Sequence, residues 1–313
     1  MKKVLISAPY MVREKEKVEK MFIDYNYEFE LANVIERLEE EEILKIISKY
    51  HGIICGDDRL TPRVLDKASN LEVIVKWGTG IDAIDKKYAE KKGIPVYNTP
   101  NAFTEPVSET TIAFMLSFVR NIIENDQILK CGGWDKPQAA TIAEKNIGII
   151  GYGNIGQRVS EKLFPFRANI FVNDIKEIDK EILLKNGCKF VDKEFIYRNC
   201  DIITLHCDLN STSNNLINKK VFSIVKDNLC LINTARGPII NETDLIDWLK
   251  EKKSSRVGLD VFEKEPLAQN SYLRTCKRAI LSAHNSNSSI YAWGKVHKNS
   301  LELLKKGLSK NDK

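Results

Sequence analysis

Short apolar runs alternate with longer amphipathic segments along almost the whole chain. In the first part of the chain, the apolar runs predict buried strands and are Val4–Ile6, Gly52–Cys55, Val73–Val75 and a short run around Pro95–Tyr97. The helical patterns between them are Leu31–Glu41 and Glu42–Tyr50. Strands that alternate with helices in this way indicate βα units built on a parallel sheet.

A clearer α/β pattern begins at Asn146. Its predicted strands are Ile147–Ile150, Asn169–Asn173, Ile202–His206, Leu229–Asn233, Val257–Val261 and Ile280–Ala283. Between the two patterns, residues 105–130 are apolar on most faces, with Thr104 placed to cap a helix and Pro106 in its first turn. This predicts one long helix, buried on several sides between two domains and a candidate for a subunit interface.

Composition and charge narrow the class of protein. A length of 313 residues indicates two domains, and 43% hydrophobic with 29% charged residues indicates a folded globular protein. The net charge of +5 comes from scattered lysines, so no nucleic-acid partner is expected. The odd number of cysteines, without a C-x-x-C pair, favours free thiols in the cytoplasm and no metal site. The basic N-terminus predicts a first strand rather than a signal peptide, and no membrane segment is expected.

A glycine-rich turn provides the first candidate site. Gly151, Gly153 and Gly156 form a G-x-G-x-x-G pattern, with Asn154 and Ile155 before the last glycine. The pattern is weak alone, but here it follows a predicted strand and opens a helical segment. The first two glycines let the backbone turn and approach a pyrophosphate, and the third lets helix and strand pack closely. This predicts a dinucleotide site at the helix N-terminus.

An acidic residue specifies the dinucleotide. Asp174 ends the next predicted strand, where its carboxylate can accept hydrogen bonds from the adenosine ribose hydroxyls. Because it would repel a 2′-phosphate, NAD is favoured over NADP. Lys176 is close enough to soften this discrimination.

Three polar residues lie near the ends of later strands, and their types are those that a keto-acid reduction needs. Arg236, Glu265 and His284 are all predicted near the carboxyl ends of strands, where open parallel sheets bind ligands. A planar guanidinium can hold a carboxylate and a keto oxygen, a histidine can donate the proton, and a neighbouring carboxylate favours its imidazolium form. Each residue alone is more simply an ordinary surface or structural residue. Their joint occurrence after the glycine motif favours an active site.

The chain resembles the D-isomer-specific 2-hydroxyacid dehydrogenase family from about Gly52 to Leu304. The motifs that carry the resemblance are KWGTGIDAID at 76–85, VYNTPNAFTEPVSE at 96–109, GYGNIG with Asp174, INTARGPII at 232–240 and DVFEKEPL at 260–267. The chain departs from the family pattern at Asn285–Ser289, where a Gly/Ala-rich turn is usual. It departs again at Cys207-Asp208, where a proline is usual.

The resemblance implies the fold and the assembly. It implies an α/β protein of two doubly wound parallel-sheet domains. A Rossmann NAD-binding domain would span 101–284, and a flavodoxin-like substrate domain would combine 1–100 with 285–313. The split domain gives the last helix a sheet to pack on. Family members are typically dimers formed through the nucleotide domain, so a homodimer is expected.

The resemblance also implies roles for single residues. Arg236 would bind the substrate's carboxylate and keto oxygen, and Glu265 would orient and charge His284, the general acid/base. The backbone N–H groups of Thr79 and Gly80 would hold the substrate carboxylate. The remaining cofactor-pocket residues would be His206, Thr234, Ala235 and, near the nicotinamide carboxamide, Asp260. Lys76, next to the substrate loop, either meets a second anionic group such as a phosphate or is simply a solvent-facing lysine.

The predicted function is NAD-dependent hydride transfer between NAD(H) and a small D-2-hydroxy or 2-keto acid. His206 also ends a predicted strand and is the competitor for the role of His284, whereas His51 and His297 are expected to be structural or exposed. Formate or phosphite oxidation on the same scaffold is a rival reaction. A rival of another class is an NAD(H)-sensing binding protein on the same fold.

Overall fold

The structure, a computed structural model, describes residues 1–23 and 27–309. The chain divides into two compact units, of which one joins Met1–Phe103 to Ser288–Lys313 and the other is Thr104–Asn287. The sequence placed the boundaries at 100/101 and 284/285. The last four residues of the predicted substrate domain, 310–313, lie outside the described residues.

The first unit is built on a parallel sheet. Its described strands are β1 Lys2–Ile6, β2 Tyr27–Leu31, β3 Gly52–Cys55, β4 Val73–Lys76 and β5 Val96–Tyr97. Its helices before residue 104 are α1 Pro9–Arg13, α2 Lys15–Phe22, α3 Glu40–Leu44, α4 Pro62–Lys67 and α5 Lys86–Lys91. The strand order among the described residues is β2-β1-β3-β4-β5, the flavodoxin-like arrangement that the sequence predicted. β3 and β4 are buried along their whole length, as expected for strands covered on both faces.

The second unit, which lies wholly within the described range, has a seven-stranded sheet in the order β12-β11-β10-β9-β6-β7-β8. The strands are β6 Asn146–Ile150, β7 Asn169–Asn173, β8 Cys188–Phe190, β9 Ile202–Leu205, β10 Cys230–Asn233, β11 Arg256–Leu259 and β12 Ala279–Leu281. The helices are α6 Thr104–Val119, α7 Ile122–Lys130, α8 Asn154–Leu163, α9 Lys180–Lys185, α10 Lys193–Asn199, α11 Lys219–Phe222 and α12 Glu242–Glu251. All pairs are parallel, and the order reverses at β6. This is the predicted Rossmann arrangement, with its switch point between β6 and β9.

The last helix, α13 (Ile290–Ser309), belongs to the first unit and packs on its sheet. Two glycines permit the close approach. A Cβ on Gly307 would lie 2.3 Å from Val73 Cγ2, and a Cβ on Gly52 would lie 2.8 Å from Leu304 Cδ1. The terminal helix therefore has the apolar support that the sequence alone left unexplained.

The predicted helix over 31–41 is wrong. Tyr27–Leu31 forms the edge strand β2, which pairs in register with β1 from Lys2↔Tyr27 to Ile6↔Leu31. The side chains of β2 alternate between half-buried and exposed, the period of a strand with one covered face. The helix begins only at Glu40, where Glu39 and Glu42 form a reciprocal capping box. The predicted helix over 42–50 is likewise shorter, because α3 ends at Leu44.

The predicted long helix over 105–130 is two helices. α6 ends at Val119, and Asn121 adopts a left-handed conformation with φ 52° before α7 begins. The Asn121 side chain stabilises the break, since its Nδ2 donates to Gln138 O (3.0 Å) and its Oδ1 accepts from Arg256 (2.8 Å). The expected burial holds for α6, whereas none of the side chains of α7, all within the described range, is buried.

Candidate active site

The glycine turn after β6 has a backbone that side chains would block. Gly151 has φ 92°, and a Cβ there would lie 2.3 Å from Cys207 N. A Cβ on Gly156 would lie 2.2 Å from Gly151 O. Both positions therefore require glycine, one for the turn and one for the close packing of α8 against it.

Gly153 has a different function in the same turn. It is the N-cap residue of α8, and no side chain caps the helix. A Cβ on Gly153 would meet nothing within 4 Å, so open space faces the first turn of the helix, which contains Asn154 and Ile155. Exposed backbone N–H groups at a helix N-terminus beside such space fit the pyrophosphate of a dinucleotide.

Asp174 follows β7 beside this turn, and both of its carboxylate oxygens accept backbone hydrogen bonds. Oδ2 accepts from Tyr152 N at 2.6 Å, and Oδ1 accepts from Lys176 N at 2.9 Å. The carboxylate is half-buried and its orientation is fixed. Its position therefore suits the ribose that the sequence assigned to it.

Tyr152 is a residue that the sequence analysis missed. Its hydroxyl lies 2.8 Å from Ser160 Oγ, accepts from Asn186 Nδ2 at 3.1 Å and donates to Cys188 Sγ at 3.3 Å. Burial raises its pKa to about 12, so it remains protonated. This network ties the glycine turn to α8 and β8. The only sequence signal for this role was the presence of an aromatic residue between two glycines, because the hydrogen-bond partners of Tyr152 are distant in sequence.

His206, the competing histidine, directly follows β9 and is half-buried. Its Nε2 is 2.9 Å from Thr204 Oγ1, while its buried Nδ1 finds no hydrogen-bond partner among the described residues. Burial lowers the pKa of His206 to about 3, so the ring is neutral near pH 7. A neutral imidazole is a much weaker acid than an imidazolium, so His206 is poorly suited to protonate an alkoxide. Thr234, another predicted cofactor-pocket residue, lies in the loop after β10. Its Oγ1 is 3.1 Å from Thr111 Oγ1, a hydrogen bond that anchors this loop.

Glu265 and His284 form a tight pair. His284 Nδ1 lies 2.9 Å from Glu265 Oε2, and Glu265 Oε1 accepts from Phe262 N at 2.9 Å. The backbone thus fixes the carboxylate, and the carboxylate fixes the histidine ring. Because Nδ1 faces the carboxylate, Nε2 is the ring nitrogen on the side away from Glu265.

The backbone of His284 is also constrained. The residue has a left-handed φ of 49°, and its N–H donates to Asp260 O at 2.7 Å. The fully buried Asp260 carboxylate accepts from Asn285 N (2.8 Å) and Ser286 N (3.1 Å). Asp260 therefore shapes the loop that carries His284, a support that the sequence analysis missed. The signal was a buried acid at the end of an apolar strand.

Arg236 lies in the loop after β10, which Asn233 braces. Asn233 Oδ1 accepts from Ala235 N at 3.0 Å, and its Nδ2 donates to Arg236 O at 2.8 Å. A Cβ on Gly237 would lie 1.8 Å from Phe262 O, so this loop touches the loop that carries Glu265. The structure thus brings the loops of Arg236, Glu265 and His284 together beyond β10, β11 and β12.

The remaining predicted residues lie in the first unit, beyond β4. Lys76 is buried, and its Nζ lies 2.8 Å from Asp57 Oδ1, so the solvent-facing alternative is wrong. Thr79 is exposed and its Oγ1 donates to Thr99 O at 3.2 Å. Gly80 follows Thr79 in the same turn. At the start of this turn, the backbone N–H of residue 78 donates to Thr99 Oγ1.

Two further observations concern the chain as a whole. All seven cysteines, each within the described ranges, are free thiols. Among the described residues, no helix combines the length and apolar character needed to cross a membrane.

Comparison with known proteins decides the family. Residues 112–286 match the family model described as the D-isomer specific 2-hydroxyacid dehydrogenase, NAD binding domain. The chain belongs to the D-isomer specific 2-hydroxyacid dehydrogenase family. The match spans the glycine turn, Asp174, Arg236, Glu265 and His284.

Several relatives are similar over most of their length. The chain is 35% identical over 260 residues to a glyoxylate reductase of Thermofilum pendens, covering 80% of this chain and 76% of that protein. It is 33% identical over 259 residues to a hydroxypyruvate reductase of Thermotoga maritima, covering 82% of each. The NAD complex of a Staphylococcus aureus NAD-dependent formate dehydrogenase superimposes with a TM-score of 0.85 at 26% identity, covering 98% of this chain and 95% of that one.

These findings confirm the predicted class. This D-2-hydroxyacid dehydrogenase is an NAD-dependent oxidoreductase that transfers a hydride between NAD(H) and hydroxy or keto acids. The predicted cofactor, NAD, and the predicted pair of parallel-sheet domains are confirmed as well.

Proposed function

We propose that this chain reduces small 2-keto acids to D-2-hydroxy acids, with Arg236, Glu265 and His284 as its catalytic residues. The observation that carries the proposal is the 2.9 Å contact between His284 Nδ1 and Glu265 Oε2, beside the loop that holds Arg236. These loops follow adjacent parallel strands of the nucleotide unit, at the edge where such sheets bind ligands.

His284 is the general acid/base. Glu265 holds Nδ1 through one oxygen while Phe262 N fixes the other, which sets the tautomer and leaves Nε2 to exchange a proton with the substrate oxygen. In reduction, protonated His284 donates from Nε2 to the developing alkoxide. In oxidation, neutral His284 accepts the hydroxyl proton at the same atom.

Arg236 and the turn after β4 bind the anionic substrate. The guanidinium plane offers two parallel donors, which suits one carboxylate oxygen and the keto oxygen together. We assign the backbone N–H groups of Thr79 and Gly80 to the substrate carboxylate. Both loops are braced by hydrogen bonds of their own, so the donors are positioned before the substrate arrives.

The nucleotide unit holds the cofactor, which supplies or accepts the hydride when bound. The N–H groups at Gly153, Asn154 and Ile155 face its pyrophosphate, with Gly151 and Gly156 shaping the turn. Asp174 accepts the ribose hydroxyls. The other residues that we assign to the cofactor pocket are His206, Thr234, Ala235 and Asp260.

We further propose that the protein acts as a cytoplasmic homodimer. α7 buries none of its described side chains, and Ile122, Leu129 and Trp134 expose 55%, 56% and 79% of their surface. Apolar surface of this kind on one helix and its following loop is typical of a protein interface. The free thiols support a reducing compartment.

The decisive experiment compares two histidine variants in NADH-dependent reduction of pyruvate, glyoxylate and hydroxypyruvate. His284→Gln should abolish most turnover while it retains NADH binding, and His206→Gln should lose far less. A greater loss of kcat in His206→Gln would refute the assignment of the general acid.

A further inference from the structure

An aromatic cluster lies at the ligand edge of the first unit. Tyr10 belongs to α1, which begins just after β1, and Trp77 directly follows β4. Both positions are beyond the carboxyl ends of parallel strands, and β1 lies at the switch point of the flavodoxin-like strand order. Trp77 is also two residues before Thr79, in the turn that we assign to the substrate carboxylate.

The rings hold one another in fixed orientations. The centroids of Tyr10 and Trp77 are 4.4 Å apart with the planes at 22°, a stacked pair. Trp293, from the first turns of α13, lies 5.0 Å from Tyr10 and 6.2 Å edge-on from Trp77. Trp77 is almost fully buried, whereas Tyr10 and Trp293 remain half-buried and present ring surface.

A buried histidine fixes the central indole. Trp77 Nε1 donates to His297 Nδ1 at 3.1 Å, and His297 has no exposed surface. Because Nδ1 accepts this bond, the neutral ring carries its proton on Nε2, which lies 3.5 Å from Glu14 Oε2. The indole therefore cannot rotate without breaking a buried hydrogen bond, so its orientation is fixed.

The positive charge next to Trp77, that of Lys76, already has an acidic partner. The Lys76 ammonium, buried at the end of β4, pairs with Asp57, and the neighbouring Asp58 carboxyl is buried and accepts from Ser7 Oγ at 2.8 Å. A phosphate or second carboxylate that used Lys76 would compete with the partly buried ion pair to Asp57, which is unfavourable because the Lys76 ammonium is itself buried. Lys76, which the sequence analysis offered as a binding group for a second anion, therefore has a structural role instead.

We propose that Tyr10 and Trp293, held from behind by the buried Trp77, form the surface against which the substrate side chain packs, so that the enzyme prefers 2-keto acids with an aromatic or branched apolar side chain. This inference rests on the proposed function, because it takes the substrate carboxylate to be held by the turn after Trp77. Apolar rings favour apolar or planar groups, and hydrophobic contacts discriminate by about tenfold or more per added group.

The test measures kcat/KM with NADH for phenylpyruvate and 4-methyl-2-oxopentanoate, for oxaloacetate and phosphohydroxypyruvate, and for pyruvate as the common reference. The two apolar substrates should exceed the two dianionic ones by about tenfold or more. Trp293→Ala should lower the phenylpyruvate-to-pyruvate ratio by about tenfold, and Trp293→Phe should restore most of it. Tyr291→Ala, an exposed aromatic on the same helix and outside the cluster, should keep the ratio.

The contrary outcomes are distinct. Turnover of pyruvate with no apolar preference, or an unchanged ratio in Trp293→Ala, overturns this inference and leaves the proposed function standing. A preference for phosphohydroxypyruvate that Lys76→Met abolishes overturns it in favour of an anion-binding Lys76. No turnover of any keto acid, despite NADH binding, overturns the proposed function and this inference together.

Discussion

At the residue scale, the candidate chemistry depends on how His284 is held. Its left-handed backbone conformation is unfavourable for a residue with a Cβ. Hydrogen bonds from the backbone of the loop to Asp260 offset this cost. Its ring is fixed by Glu265, which is fixed in turn by Phe262 N. The proposed proton donor is therefore oriented by hydrogen-bonded neighbours before any ligand binds.

His284→Gln should reduce kcat for keto-acid reduction by about 10²–10⁴-fold, the usual contribution of a positioned general acid. Glutamine keeps polarity and size but cannot donate an imidazolium proton. Stopped-flow measurement of NADH oxidation would give kcat, and fluorescence titration would show that the Kd for NADH is unchanged. A loss of less than about tenfold would remove His284 from the mechanism.

Asp174→Asn should raise the kcat/KM ratio of NADPH to NADH by about tenfold or more, because a charged acceptor of the ribose hydroxyls is lost and a 2′-phosphate is no longer repelled. Asparagine can still accept the bond from Tyr152 N, so the glycine turn should hold. Glu177→Gln, an exposed carboxylate three residues on, is the matched control. An unchanged cofactor ratio in Asp174→Asn would contradict the ribose assignment.

His206 gives a pH-dependent contribution to stability. Its pKa is about 3 in the folded protein, below the roughly 6.5 of an unfolded histidine. The unfolded chain therefore takes up a proton first as the pH falls, so the unfolding free energy contributed by this ring declines below about pH 6.5. Urea unfolding of the parent and of His206→Gln at pH 7.5 and 5 should show a difference in stability that shifts towards the variant at pH 5. A difference that is independent of pH would contradict a ring that stays neutral in the folded protein.

At the element scale, local signals explain which parts of the fold and site were predictable. The buried strands of both sheets were predicted because they are continuous apolar runs, and the glycine turn and Asp174 each directly follow such a strand. The short edge strand β8 was missed, because two of its three residues are exposed and it lacks an apolar run. β2 was missed because pairing with β1, a tertiary contact, overrides the helical spacing around Leu31. The supports of the site, Tyr152 and Asn233, were missed because their partners are set by the folded chain.

The break between α6 and α7 offers a test of a single element boundary. Asn121→Ala should destabilise the protein by more than Asn121→Gly. The left-handed conformation costs alanine about 1–2 kcal/mol, whereas glycine adopts it freely. Both variants lose the side-chain bonds to Gln138 and Arg256, so their difference isolates the backbone term. Thermal unfolding of the two variants would measure it. Equal stabilities would mean that the chain straightens through this position.

At the scale of the whole molecule, each unit has its own apolar core, and α7 with its following loop exposes large apolar side chains that include Ile122, Leu129 and Trp134. The double variant Leu129→Ser with Trp134→Ser should therefore convert a dimer into monomers in sedimentation-velocity runs. Leu184→Ser, which removes an even more exposed leucine from α9, should stay dimeric. A parent chain that sediments as a monomer would contradict the proposed homodimer.

The central claim is that the loops of Arg236, Glu265 and His284 carry out NAD-dependent reduction of a 2-keto acid. The most direct measurement is NADH oxidation with a panel of keto acids, for the parent protein and for His284→Gln side by side. We expect turnover of at least one keto acid by the parent, lost in His284→Gln although NADH still binds. Tight NADH binding by the parent without turnover of any keto acid, or full turnover by His284→Gln, would contradict the account.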